Sequence, residues 1–179
     1  MARYKTKDIV SIAIMAILIA ACSWISIPSA VPFTMQTFGV YLAFYILGAG
    51  RGTLCISLYI LLGLIGVPVF SNGTAGIGVL FGATGGYMIG WLISGLIMKL
   101  FELALGKGMR GRVIAMLTGM LVCYIIGTAW FMVVYAISSK PVGLWSALVW
   151  CVLPFIIPDA IKLGLAIWLG NKLKRILKI

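Results

Sequence analysis

The sequence predicts an all-α integral membrane protein with six transmembrane helices and with both termini in the cytoplasm. Of its 179 residues, 63% are hydrophobic and only 9% are charged, whereas an average soluble domain has about 25% charged residues. The mean hydropathy is +1.19, and a soluble domain of this length cannot bury so much apolar surface. Since one membrane-spanning helix needs roughly 20 apolar residues, six helices take up roughly 120 positions and leave room only for short loops. We therefore expect residues 1–179 to form a single membrane domain.

Apolar runs separated by glycines, prolines and polar residues mark the spans in order. The first run is longer than the roughly 7–15 residues of a signal-peptide core, so we expect a retained helix rather than a cleaved leader. Residues 28–36 carry two prolines and polar groups, which predicts a loop or a re-entrant turn. The turn GAGRG at 48–52 separates the second and third spans, and Pro154 and Pro158 predict a bend in the last one. The predicted spans are 9–27, 37–49, 53–69, 87–105, 113–137 and 144–170.

The segment between the third and fourth spans is rich in glycine. Residues 70–87 contain six glycines and no charged residue. Because each glycine costs a helix about 1 kcal/mol relative to alanine, a regular helix is not expected here. Backbone groups without hydrogen-bond partners cannot face lipid. We therefore expect this segment to fold over the outer surface of the protein or to line a cavity.

The basic residues lie mostly on one side of this topology. With the N-terminus in the cytoplasm, all but two of the 14 Lys and Arg residues fall on the cytoplasmic side, while Lys140 falls outside and Lys162 lies within the sixth span. This is the positive-inside pattern, and it favours an even number of spans. The net charge of +11 is then explained by topology and by contacts with anionic membrane lipids, not by nucleic acid. The external loops 28–36 and 70–86 are long and nearly uncharged, which suggests a ligand that arrives from outside.

The residue types that are absent or scattered exclude several kinds of chemistry. The chain has no histidine and only three acidic residues, so His-based catalysis and paired-carboxylate chemistry are not expected. Its four cysteines lie far apart in apolar runs without a CxxC motif, which predicts reduced thiols that pack as small apolar residues. We expect no metal site, no cofactor and no enzymatic activity.

One acid and one base within the sixth span form the main candidate site. Asp159 and Lys162 are three residues apart, so a helix places both on one face. The pair either locks the sixth helix as a structural ion pair or forms the polar end of a ligand site that faces the bundle interior. If a helix restarts at Pro158, Asp159 lies in its first turn, where the helix dipole favours an anion.

Neutral polar and aromatic side chains in or beside the external loops extend this candidate site. They suit a ligand that is polar but weakly charged. The tryptophans among them either wall an apolar pocket or anchor the protein at the membrane interface. The polar candidates are Gln36, Thr37, Tyr41, Asn72, Thr74 and Tyr87, and the apolar ones are Phe33, Trp91, Trp145 and Trp150.

Small residues mark one face of the first span. Ala13, Ala16 and Ala20 are three and four residues apart, and this spacing lets a second helix approach closely. The face either packs inside the chain or docks a partner subunit.

Three segments of the chain resemble a known family. VPFTMQTFGVYLAFYILGAGRGTLCISLYILLGLIGVPVF (31–70), FGATGGYMIGWL (81–92) and PDAIK (158–162) are similar to the BioY family, the biotin-specific substrate-binding (S) components of energy-coupling-factor (ECF) transporters. The resemblance covers nearly the whole chain. It implies a six-helix S component in a prokaryotic cytoplasmic membrane that captures biotin from outside. It also implies a transmembrane coupling subunit and two ATPase subunits as partners.

The resemblance also assigns roles to residues. Carried over by position, Asp159 and Lys162 look like the polar end of the biotin pocket. Thr74 stands where some relatives have Asn, and Met88 stands where some have Arg, which leaves open how the valerate carboxylate is held. Asn72 and Lys162 are the candidates for that role.

Two other functions remain open at this point. One is an S component for a different vitamin. The other is a solitary or ion-coupled carrier, in which Asp159 would be the titrating group within a span.

Overall fold

The computed structural model describes residues 5–28, 31–106, 108–138 and 141–177, and these residues are mostly helical. Arg3, Lys107, Lys140 and Lys178, which belong to the predicted charge pattern, lie outside the described residues, as do parts of the predicted loops 28–36 and 138–143. The helices are α1 (Thr6–Trp24), α2 (Gln36–Leu64), α3 (Ile77–Phe81), α4 (Gly85–Leu105), α5 (Met109–Ser138), α6 (Leu144–Cys151) and α7 (Leu153–Leu177), and the strands are β1 (Ser26–Ile27) and β2 (Phe33–Thr34).

Helix α2 reverses direction at Gly48, which confirms the predicted turn between the second and third spans. The φ angle of Gly48 is +78°, a left-handed conformation that glycine adopts without steric cost. A Cβ atom on Gly52 would lie 3.1 Å from the Cα of Phe44, so the two halves of α2 run side by side. The Gln36 amide also donates a hydrogen bond of 2.6 Å to the Tyr59 hydroxyl, although a straight helix would separate these residues by about 35 Å.

The folded α2 brings the number of passes to six. Five helical stretches of the described residues are long and apolar enough to cross a membrane. One of them is α2, which passes twice because it folds back on itself. The stretches are Thr6–Trp24, Gln36–Leu64, Gly85–Leu105, Met109–Ser138 and Leu144–Ile176.

The end of the bundle that was predicted to be cytoplasmic is held together by charged side chains. Asp8 near the start of α1 forms an ion pair with Arg51, three residues after the Gly48 turn. Glu102 near the end of α4 accepts a hydrogen bond of 3.1 Å from the backbone N–H of Ala49. The start of α1 and the end of α7 lie at this end of the bundle, since Lys174 lines the same groove as Asp8.

The opposite end is built from loops with little charge. The Trp24 indole donates a hydrogen bond of 2.9 Å to the Pro68 carbonyl, and the Ser26 hydroxyl donates one of 2.5 Å to the Asn72 side chain. Strands β1 and β2 form a short antiparallel hairpin at this end. The sequence predicted a loop here but not the strand pairing.

The glycine-rich segment contains only short helical pieces, as predicted. A single 3-10 turn (Ser71–Gly73) and the five-residue α3 precede α4. Helix α4 begins at Gly85, two residues before the predicted start of the fourth span.

No helix starts at Pro158, so the condition under which Asp159 would lie in a first turn is not met. The last span consists of α6 and α7, which are separated at Val152. Helix α7 begins at Leu153, and Pro154 is its second residue. An N–H group at this position has no acceptor within the helix, so the missing N–H of proline costs no hydrogen bond. Pro158 lies inside α7, and Asp159 is the seventh residue of that helix. The charge of Asp159 is therefore balanced by side chains and not by the helix N-terminus.

The alanine face of α1 serves internal packing at its centre. Ala16 is 1% exposed, and α1 packs closely on α2, since a Cβ on Gly39 would lie 3.1 Å from the Cα of Ile19. The chain itself covers Ala16 in this structure, and a docking role for it stays a prediction. Ala13 and Ala20 are half-buried, and a docking role for them stays a prediction.

The cysteines behave as the sequence predicted. All four are buried, with free thiols. Two of them, Cys123 and Cys151, line the cavity described below.

Candidate functional site

Asp159 and Lys162 form a buried ion pair on α7. The Asp159 Oδ1 and Lys162 Nζ atoms are 2.9 Å apart, and the two residues are 3% and 4% exposed. Their spacing places them on one helix face, as predicted. Because burial removes both charges from water, such a pair persists only where further hydrogen bonds satisfy the remaining donors and acceptors.

Three neighbours satisfy those groups and complete what we call the polar cluster: Thr34, Thr37, Tyr124, Asp159 and Lys162. The Lys162 ammonium donates to the Thr34 carbonyl at 2.7 Å and to the Thr37 hydroxyl at 3.0 Å, so its three N–H groups are all used. The Thr37 hydroxyl donates to Asp159 Oδ1 at 3.0 Å, and the Tyr124 hydroxyl donates to Oδ2 at 2.7 Å. A carboxylate has about four acceptor positions, so the described residues leave one position on Oδ2 free.

Four elements bring the polar cluster together. Strand β2 supplies the Thr34 carbonyl, the first turn of α2 supplies Thr37, α5 supplies Tyr124, and α7 supplies the ion pair. Phe33 of β2 adds a cation–π contact, since its ring centroid lies 4.2 Å from Lys162 Nζ.

The polar cluster forms part of the wall of a cavity between the helices and the uncharged loops. The volume within the cavity that the centres of water molecules can reach is about 70 Å³. This is several times the volume that one water needs by the same measure. Pro32, Ser71 and Thr84 line the cavity from the loops at the uncharged end of the bundle, and we call these three residues the mouth. The other lining residues that are mainly apolar are Val31, Tyr41, Tyr87, Met88, Trp91, Met120, Cys123, Cys151 and Phe155.

A second hydrogen-bond chain fixes Gln36 at the cavity wall. Its amide donates to the Tyr59 hydroxyl, which in turn donates to the Val69 carbonyl at 2.9 Å. The Ser23 hydroxyl donates to the same carbonyl at 2.5 Å. This chain ties α1, both halves of α2 and the segment after α2 together, so the position of Gln36 is set by the fold.

The structure brings most of the predicted site residues together. Phe33 joins them through its contact with Lys162, and Trp91 is the one tryptophan of the three candidates that lines the cavity. Trp145 and Trp150 are 72% and 47% exposed, which fits the alternative role of interfacial anchors. The predicted polar residues that line the cavity are Gln36, Thr37, Tyr41, Tyr87, Asp159 and Lys162.

Asn72 and Thr74 are not among the lining residues. The Asn72 side chain accepts a hydrogen bond from Ser26, and the Thr74 hydroxyl donates one of 2.9 Å to the Ser71 carbonyl. Both residues are exposed. In this conformation they shape the loop beside the mouth.

Sequence reasoning missed two members of the polar cluster. Thr34 contributes a backbone carbonyl, which every residue has, so no residue type signals it. Tyr124 carries a hydroxyl in the middle of an apolar span, and this buried polar group was the available signal.

The chain is similar in sequence and in fold to known proteins. A family model described as "BioY family" matches residues 1–179. The probable biotin transporter BioY of Pyrococcus horikoshii is 36% identical over 171 residues, which cover 95% of this chain and 98% of that protein. The biotin transporter BioY of Thermotoga maritima is 34% identical over 178 residues, which cover 95% and 97%. The crystal structure of the S-component for biotin from an ECF-type ABC transporter matches with a TM-score of 0.81 and 27% identity, over 97% of this chain and 95% of that one.

Proposed function

The chain belongs to the BioY family, and on this premise we propose that it is the biotin-binding S component of an ECF-type transporter, with its substrate site at the polar cluster. The observation that carries the site assignment is the buried Asp159–Lys162 pair, which keeps one free acceptor position beside a cavity. A buried charge with an unused acceptor is suited to a ligand that brings an N–H group.

The ureido ring of biotin matches the groups that remain free. One ureido N–H donates to Asp159 Oδ2, at the acceptor position that the polar cluster leaves free. The Gln36 amide has two N–H groups, of which one is bonded to Tyr59. In this proposal the other one donates to the ureido carbonyl, since Gln36 lines the cavity.

The apolar part of the cavity suits the rest of the ligand. The thioether ring and the alkyl chain of biotin pack against Met88, Trp91, Met120 and Phe155. Burial of such surface contributes about 25 cal/mol per Å². No cofactor takes part in this proposal, since biotin is the transported ligand.

The proposal places the protein in a cytoplasmic membrane, together with partner subunits. The charged end of the bundle then faces the cytoplasm, as the basic residues favour, and the mouth faces outside. The proposed partners are a transmembrane coupling subunit and two ATPase subunits, which supply the energy for delivery inward. Anionic lipids contact the basic end.

A binding assay tests the function directly. Labelled biotin should bind saturably to the purified protein in detergent or in lipid nanodiscs. Unlabelled biotin should displace it, whereas thiamine and riboflavin at about hundredfold excess should not. Displacement by another vitamin would assign a different substrate, and a folded protein without saturable biotin binding would reject the proposal.

A further inference from the structure

We propose that the cavity binds biotin without neutralising its carboxylate, so that uncharged amides and esters of biotin bind about as well as biotin itself. This inference rests on the proposed function, because it concerns the far end of the same ligand. The substrate class is then any molecule that has the ring system of biotin, whatever the charge at the end of its chain. Biotin linked through an amide bond to a small molecule belongs to this class.

The first observation is the charge of the cavity wall. Among the described residues that line the cavity, Lys162 is the one cation and Asp159 the one anion, and each balances the other at 2.9 Å. All three N–H groups of Lys162 are occupied by protein acceptors. The part of the lining that the structure describes therefore offers no free cation to a ligand carboxylate.

The second observation fixes which end of the ligand meets the polar cluster. A ligand carboxylate placed there would face the Asp159 carboxylate and would find no N–H group of Lys162 unused. Like charges at such short range repel strongly in a buried site. The uncharged ureido ring therefore takes this end, and the chain end points away from it.

The third observation concerns where the chain end then lies. The residues of the mouth are Pro32, Ser71 and Thr84, which carry no charge. A carboxylate at the mouth keeps its water and meets neutral hydroxyl groups. An ionised group that stays hydrated neither gains an ion pair nor loses hydration, so replacing it with an amide changes the affinity little.

Met88 lies at a position where a cationic side chain would bind the ligand carboxylate. Its side chain lines the cavity and is 4% exposed, and it lies four residues after Thr84, on the same side of the first turn of α4. An arginine there would reach towards the mouth and offer N–H groups to a carboxylate. The thioether of Met88 offers none.

Competition binding with matched ligands tests the inference. Biotin, biotin amide and biotin methyl ester are titrated against labelled biotin bound to the purified protein. We expect the three affinities to agree within about threefold, whereas a carboxylate held by one charged hydrogen bond would favour biotin by about 10- to 150-fold. The variant Met88→Arg should raise the preference for biotin over its amide to about tenfold or more. The uncharged variant Met88→Gln should leave the preference unchanged and controls for side-chain size.

Each result decides a different point. A preference of tenfold or more for biotin in the parent protein overturns this inference while leaving the proposed function intact. A preference that disappears in Lys140→Gln overturns it as well and assigns the cation to the loop at 138–143. If Met88→Arg still binds the amide but shows no new preference, the placement of the carboxyl end is wrong. Absence of binding for all three ligands overturns the proposed function itself.

Discussion

Removing both charges of the buried ion pair together should cost less stability than the sum of the costs of breaking the pair from each side. Asp159→Asn leaves the Lys162 ammonium buried beside a neutral amide. Lys162→Met leaves the Asp159 carboxylate with hydrogen bonds only from Thr37 and Tyr124. Removing one partner of a buried pair typically costs about 3–5 kcal/mol. The double variant Asp159→Asn/Lys162→Met should cost less than the sum of the single variants by about 0.5–3 kcal/mol, the usual coupling of residues in direct contact.

The free energy of unfolding of the four proteins, measured in the same detergent, gives this coupling. The ion pair between Asp8 and Arg51 supplies a matched control, because its side chains are 24% and 45% exposed. The variants Asp8→Asn and Arg51→Met should each cost about 0–1 kcal/mol, as is usual for exposed pairs. Additivity of the Asp159 and Lys162 variants within about 0.5 kcal/mol would refute the reasoning, since it would mean that the two charges do not stabilise each other.

The same variants separate the structural role of the pair from its role in binding. Loss of a charged hydrogen bond from Asp159 Oδ2 to the ureido ring should weaken biotin binding by about 10- to 150-fold, which corresponds to about 1.5–3 kcal/mol. The control Asp8→Asn should bind biotin like the parent protein. If Asp159→Asn stays folded and binds biotin within twofold of the parent, the pair is structural and the ligand lies elsewhere.

Three further predictions concern a cluster hydroxyl, the turn in α2 and the topology. Tyr124→Phe removes the hydrogen bond of 2.7 Å to the buried carboxylate, and biotin binding should weaken by about 2- to 12-fold, as expected for about 0.5–1.5 kcal/mol. Gly48→Ala places a Cβ on a residue with φ of +78° and should lower the free energy of unfolding by about 1 kcal/mol or more, whereas Gly50→Ala meets nothing within 4 Å and should not lower it. In intact cells, a cysteine introduced at Gly73 should react with an impermeant reagent applied from outside, and one at Met109 should not.

The outcomes that contradict these three predictions are equally specific. Unchanged affinity in Tyr124→Phe would show that its hydroxyl does not support the ligand-binding carboxylate. Equal stability of the two glycine variants would mean that the chain does not need a left-handed residue at the turn. Labelling at Met109 from outside would reverse the orientation of the whole bundle.

Much of the fold follows from the composition of the sequence and from the glycines and prolines that interrupt its apolar runs. The spans are predictable because lipid requires long apolar helices, and the turn in α2 is predictable because GAGRG interrupts one such run. The short hairpin is not predictable, because two paired residues per strand carry no periodic pattern. Pro154 and Pro158 each satisfy the rule for a helix start, and local sequence does not decide between them. Small residues such as Ala16 permit close packing without indicating which helix packs there.

The candidate site was predictable in so far as it depends on spacing along one helix. Asp159 and Lys162 share a face of α7 because they are three residues apart. The contributions of Thr34 and Tyr124 depend on how β2 and α5 pack against α7, and no pattern within either segment encodes that packing. The exclusion of Asn72 from the cavity lining depends likewise on its hydrogen bond to Ser26, a residue 46 positions away in the chain.

Binding and folding share the same hydrogen bonds in this protein. The polar cluster joins β2, α2, α5 and α7 through bonds that all end on Asp159 or Lys162. In a chain with so few charged residues, a buried pair is retained only where its partners are well placed. An N–H group that occupies the last acceptor position of Asp159 completes this arrangement. A ligand bound there therefore stabilises the contacts among the same four elements that form its site, and the free energy of unfolding rises with the free ligand concentration [L] as RT ln(1 + [L]/Kd).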